Sequence, residues 1–222
     1  MIRESGFEIV SGILSAAECS ELAREVAAPE VRRTRAGARH LLSNDLVRQL
    51  AWDPRSRALA GKALGQNPVP FRATLFDKSI RSNWLVVWHQ DTALPLREQF
   101  ELPDWGPWSR KAGVLYAHAP TTALNLVAAL RFDLDGSTPE NGPLQVIGAS
   151  HRLGVITDDE VARVVKESSA TTCLVAQGGV LIMRPLLIHA SGRLATPAPR
   201  RVLHIEYAVN LTIAPGIELA PA

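Results

Sequence analysis

The sequence predicts a mainly β protein, a sandwich or barrel preceded by a helical segment. Three observations predict it. From residue 69 the chain breaks into short runs rich in Val, Leu, Ile and aromatic residues, separated by Gly, Pro, Asn and Asp; this is the pattern of an antiparallel double sheet or barrel. Ahead of residue 67, apolar residues recur at helical spacing behind cap signals. The 222 residues contain no internal repeat, linker or low-complexity tract, a length that suits one large β domain over residues 1–222. The expected division is a helical part over 1–66 and a β core over 67–212.

The elements follow in order. "GFEIVSGI" reads as a short opening strand. Ser15 and Glu18 form a capping box, and Cys19, Leu22 and Val26 give residues 16 to 27 one apolar helical face. Two short helices follow over 43–50 and 55–64, the first capped by Ser43 or Asn44. Asp53-Pro54 separates them and Gly65 closes the second. The strand runs are "VPFRATLFDK", "NWLVVWHQ", "LNLVAALRFDLD", "GPLQVIGAS", "TTCLVAQ", "GGVLIMRPLLIHAS" and "RRVLHIEYAV". One helix interrupts them, "TDDEVARVVKE", with Thr157 as N-cap and Glu160 at N3. Residues 97 to 123 are Pro/Gly/Trp-bearing and weakly periodic, and read as a long structureless insert of the kind that carries function.

Net charge is +2, with 46% hydrophobic and 21% charged residues. That balance points away from nucleic acid or a membrane surface as the main partner. The basic run Arg32, Arg33, Arg35 and Arg39 reads as a solvated loop. Cys19 and Cys173 form no metal-type cluster and no disulfide framework, so both are expected to be reduced, buried and cytoplasmic. The N-terminus lacks the apolar segment of a signal peptide, and no apolar run approaches the ~20 residues of a membrane span.

Chemistry is sought first in "LVVWHQDTALPL", where His89 and Asp91 form H-x-D at a strand end. On an extended chain, residues i and i+2 project to the same side, so one nitrogen and one oxygen ligand stand together. Three-residue matches arise by chance, and a third ligand is needed. His189, ending a late apolar run, is the best candidate. Two histidines and one carboxylate on one face of a metal are typical of non-haem Fe(II) oxygenases. A 2-oxoglutarate co-substrate would need a cation for its distal carboxylate, ideally Arg. Arg200 and Arg201 face opposite ways on a strand. Arg201, Leu203, Ile205 and Tyr207 share the face suited to packing, which leaves Arg200 as the inward choice and Arg201 as the alternative.

With these residues in hand, the sequence resembles the phytanoyl-CoA dioxygenase family of iron- and 2-oxoglutarate-dependent oxygenases over residues 5 to 210. "LFDKSIRSNWLVVWHQD", "DWGPWSRKAGV", "ENGPLQVIGASHRLG" and "HASGRLATPAPRRVLHIEY" carry the likeness. The resemblance implies a double-stranded β-helix, a cupin-like jelly-roll, with flanking helices. It implies His89, Asp91 and His189 as iron ligands, and Arg200 and Ser191 as holders of 2-oxoglutarate. It also places Trp108 and Thr74 at the co-substrate pocket and turns Gln90 away from the metal. The chain departs from the family pattern at Ile147, where a Pro is usual, and at Ala149-Ser150. An intact Asp91 favours oxygenation over halogenation.

Substrate contacts are expected from Trp105, His118, His151 and Arg35, the substrate being a small molecule such as a natural product or another apolar compound. His151 also reads as a loop histidine. Two rival functions use the same scaffold: a cupin-like metal-dependent isomerase or hydrolase, and a non-catalytic binding domain.

Overall fold

The structure is a computed structural model. It describes residues 2–222 except 29, 35, 36, 66 and 81. Among the described residues the helices are α1 (Ile2–Ser5), α2 (Ala16–Glu25), α3 (Asp45–Trp52), α4 (Pro54–Leu64), α5 (Thr121–Leu124) and α6 (Asp158–Glu167). The main sheet runs in the order β1 (Phe7–Val10), β12 (Val180–Met183), β9 (Val127–Asp133), β14 (Arg200–Ala208), β4 (Val69–Lys78), β3 (Gly37–Arg39) and β2 (Arg33–Thr34). A smaller sheet holds β11 (Thr171–Cys173), β10 (Leu144–Val146), β13 (His189–Ser191) and β5 (Val86–His89). All pairings in both sheets are antiparallel. The two sheets face each other as the halves of a jelly-roll, with Ala129, Leu181 and Met183 packed against Leu144, Val146 and Cys173.

Side-chain alternation divides the main sheet into two unlike faces. Ala73, Leu75, Leu130, Phe132, Leu203, Ile205 and Tyr207 point outward and bury Leu22, Val26, Val47, Leu50, Leu59 and Ala60 of α2, α3 and α4 and their flanks. That is ordinary helix-on-sheet burial. The capping box of Ser15 and Glu18 starts α2, and Asn44 and Asp53 cap α3 and α4. The inward face carries Arg72, Thr74, Lys78, Arg131, His204, Glu206 and Arg200, brought side by side by the β4–β14–β9 register. Buried polar groups need partners. Glu206 pairs with Arg72, and Arg131 lies 3.1 Å from His204 Nδ1.

The first 66 residues are not helical throughout. β1 closes one edge of the main sheet against β12, and the β2–β3 hairpin closes the other against β4. Gly37 is what lets the hairpin dock: its φ is +135°, and a Cβ there would lie 1.9 Å from the Leu75 carbonyl oxygen. A backbone obstacle cannot move aside as a side chain can. Gly37→Ala is therefore expected to cost about 2–3 kcal/mol, read as a lower urea midpoint at unchanged slope.

Two other readings of the sequence are corrected. Residues 97–123 are not structureless: β7 (Trp108–Lys111) and β8 (Val114–His118) pair with β6 (Ala93–Leu96) in a three-stranded sheet. Their turn is Ala112-Gly113, with φ of +50° and +88°, a tight hairpin without the usual Asn or Asp signal. The run "GGVLIMRPLLIHAS" is not one strand. It turns at Arg184–Leu187, so β12 ends in the main sheet and β13 starts in the small one. β15 (Thr212–Ala214) and β16 (Ile217–Glu218) form a terminal hairpin. Both cysteines are free and buried, and no helix among the described residues is long and apolar enough to cross a membrane.

Candidate metal centre

β13 lies antiparallel to β5 with His189 directly opposite His89. The topology thus joins a residue of the early run to one a hundred positions later. Their rings are 4.3 Å apart between centroids. Asp91, just past β5, is fixed by its own N–H donating to the Pro185 carbonyl at 2.9 Å. Its two carboxylate oxygens stand 3.6 Å from His89 Nε2 and 3.6 Å from His189 Nε2. The three ligand atoms lie within 4.8 Å of one another, a spacing that one ion can bridge.

Each imidazole is set for ligation by its other nitrogen. His89 Nδ1 lies 2.8 Å from the Val87 carbonyl, and His189 Nδ1 lies 2.8 Å from that of Leu187. A carbonyl accepts, so Nδ1 carries a proton in both rings and each Nε2 is turned toward Asp91. Burial pushes His189 down to about 4, against the pull of Asp91, so it is neutral at physiological pH. For His89 burial acts the same way, but the hydrogen bond and charge of Asp91 outweigh it and the ring is raised. Asp91 is held well below the usual carboxylate range: burial opposes its ionisation, but the neighbouring histidines more than compensate.

Gln90 points away from the triad and braces it from behind. Its amide donates to Gly154 O and Leu186 O at 2.8 Å each, and its carbonyl accepts from Ile156 N at 3.1 Å. The three ligand candidates open into a cavity of about 70 Å³ walled by Phe76, Lys78, Trp84, Arg131, Ser191 and Arg200. Ser191 Oγ accepts from Lys78 Nζ at 2.6 Å and Arg200 Nη2 at 3.1 Å, and donates to Gly142 O at 2.9 Å. Arg200 Nε is buried with no partner among the described residues. Burial and the Arg131 charge lower Arg200 to about 10, still protonated at neutral pH, while burial and Arg200 bring Lys78 down to about 7. Arg201 lies on the other face and grips Asp135 with its backbone N–H and its guanidinium.

Not every expected residue is here. Trp108 is half-buried against Phe100 at 5.0 Å and lines an outer groove with Trp105, because its strand belongs to the three-stranded sheet. The tryptophan in the cavity wall is Trp84. Thr74 faces inward but lies earlier on β4 than Phe76 and Lys78, and those two make the wall. His118 is exposed and hydrogen-bonds Thr92 Oγ1 at 2.7 Å, one residue beyond Asp91. His151 lines a different cavity, behind the Gln90 brace. Arg35 lies outside the described residues. Sequence reasoning missed Lys78, Trp84 and Arg131 as walls. A lone Arg within the otherwise apolar "VAALRFD" was the available signal, since a charge in a central strand is seldom buried without a purpose.

Residues 2–202 match the sequence profile described as Phytanoyl-CoA dioxygenase (PhyH). The chain belongs to the phytanoyl-CoA dioxygenase family. As a member it is an iron- and 2-oxoglutarate-dependent oxygenase of a small molecule. No curated protein matches it in sequence. Solved structures with the same fold include AviO1 from Streptomyces viridochromogenes Tue57, at 23% identity and TM-score 0.67 over 99% of this chain and 95% of that one. The epimerase SnoN in complex with Fe3+, alpha ketoglutarate and nogalamycin RO superposes with TM-score 0.74 at 20% identity, over 99% and 83% of the two chains. EctD from S. alaskensis with 2-oxoglutarate and 5-hydroxyectoine gives 0.69 at 19% identity, over 93% and 73%. Such likenesses place this family member in the jelly-roll fold.

Proposed function

We propose that His89, Asp91 and His189 hold Fe(II), and that Arg200, with Ser191 and Lys78, holds the distal carboxylate of 2-oxoglutarate. The observation that carries this reading is the unpartnered Nε of Arg200. A buried guanidinium N–H without an acceptor is costly, and Arg200 lines the cavity that contains the triad. A carboxylate there would supply the missing acceptor. Bound together, Fe(II) and 2-oxoglutarate supply the oxidising power, with O2 consumed and succinate and CO2 released.

The chain's own residues set the geometry. Val87 and Leu187 fix which imidazole nitrogen faces the ion. Asp91 brings the one negative charge of the ligand set. Arg131 and Lys78 add positive charge, which suits a dianionic co-substrate. Phe76, Trp84, Val86 and Leu144 keep the cavity wall apolar and limit water. We take residues 1–222 as one oxygenase domain, since α2–α4 share a core with the main sheet. The substrate is a free small molecule of natural-product type, oxidised at an unactivated C–H. The solved relative that holds nogalamycin RO supports that class. His118, beside Thr92, is the substrate contact we favour among the residues expected from the sequence.

Anaerobic addition of Fe(II) and 2-oxoglutarate tests the reading. It predicts a metal-to-ligand absorption band in the visible, followed by succinate release on admitting O2. An isomerase or hydrolase on the same ligands would give no such band and would not need Arg200.

A further inference from the structure

The Gln90 brace has a second cavity behind it, of about 590 Å³, within the range of small-molecule pockets. Its lining includes Arg3 beside β1, Thr121, Asn125, His151, Arg152 and Arg184, and no Asp or Glu. None of the three guanidiniums meets a carboxylate among the described residues. Arg184 is half-buried in the turn between β12 and β13, where the carbonyls of Asn125 at 2.6 Å and Ala63 at 3.4 Å orient it without neutralising it. Arg3 and Arg152 are exposed, and three guanidiniums lining one cavity whose lining holds no acid make a positive field that an anion would complement. The field is felt locally: His151 is held below its usual range by burial and then by the Arg184 and Arg152 charges. Thr121 Oγ1 accepts from Val155 N at 2.9 Å, so its own hydroxyl proton is left to donate.

We propose that this cavity binds a phosphate group through Arg3, Arg152 and Arg184. Arginine forks match phosphate oxygens in pairs, and three of them suit a dianion or diphosphate better than a single carboxylate. The group arrives either as an inorganic anion or on a small organic phosphate, and both fit a cavity of this size. The site is separate from the triad and stands on its own residues, so it holds whether or not the metal assignment does.

Calorimetric titration of the full chain with inorganic pyrophosphate, and in a second arm with ADP, reads it out. Saturating 2-oxoglutarate is present to occupy the cationic cavity at Arg200. The expected result is saturable one-to-one binding, weakened at least tenfold by Arg152→Ala and further by Arg3→Ala in the same chain. Both changes lie on exposed side chains that the fold does not need. Tighter binding of ADP assigns an organic phosphate, and equal binding assigns the inorganic group. Absence of saturable heat overturns the proposal. So does affinity unchanged in the double variant, since that places the anion elsewhere.

Discussion

Replacing Asp91 by alanine is expected to abolish iron retention after anaerobic reconstitution and to cut succinate formation more than a hundredfold. The carboxylate is the only negative charge among the three ligand candidates, and it faces both Nε2 atoms at 3.6 Å. Without it, two neutral imidazoles remain, and a divalent ion loses its charge-neutralising ligand. The fold should survive. The bond that fixes position 91 is made by its backbone N–H to Pro185, and the side chain is about a third exposed, so truncation opens no large void. Metal analysis alongside a thermal melt checks both halves of the prediction. Stoichiometric iron in a normally melting Asp91→Ala protein would sink the ligand assignment.

The second large effect belongs to Arg200. Arg200→Ala should weaken 2-oxoglutarate about a hundredfold, roughly 2.7 kcal/mol, while leaving iron content unchanged. Arg200→Lys should recover little, because an ammonium cannot replace the paired N–H groups of the fork. Lys78 adds a pH dependence whose sign follows from its lowered value of about 7. Above that pH the free protein carries a mostly neutral amine, whereas a bound dianion favours the ammonium. Binding must then take up a proton, so affinity falls as pH rises from 7 to 9. Titrations in buffers of different ionisation enthalpy measure that proton directly. A pH-independent affinity would remove Lys78 from the co-substrate's surroundings.

Much of this was legible in the chain, for identifiable reasons. The helix boundaries were marked by Ser15, Glu18, Asn44, Asp53 and Thr157, whose side chains act locally on backbone N–H groups. The H-x-D pair was readable because its geometry is also local. His189 and Arg200 were nameable as types, but only β13–β5 and β14–β4 pairing brings them to His89 and Lys78, and no local signal encodes those partners. Trp84 and Trp108 show the limit most clearly. Trp108 was expected at the pocket and Trp84 was not; which one reaches it depends on the sheet that its stretch of chain leads into. Residues 97–123 were misread because a turn of Ala and Gly carries little of the side-chain chemistry that marks a hairpin.

The three-stranded sheet of β6, β8 and β7 supplies none of the triad or the Arg200 cluster. It is packed through Leu94, Leu96 and Ala117 onto Phe71, Val127 and Ala208 of the main sheet, and tied at its edge by the Leu96–Leu219 bridge and the Arg97–Glu218 ion pair. Its packed strands must stay, but the mostly exposed stretch from Arg97 to Pro107 and the Ala112-Gly113 turn can change length without disturbing the residues around the triad. Divergence of substrate in this lineage is therefore expected to accumulate as insertions and deletions between residues 97 and 107, while the strands around His89 and His189 tolerate almost no change in length.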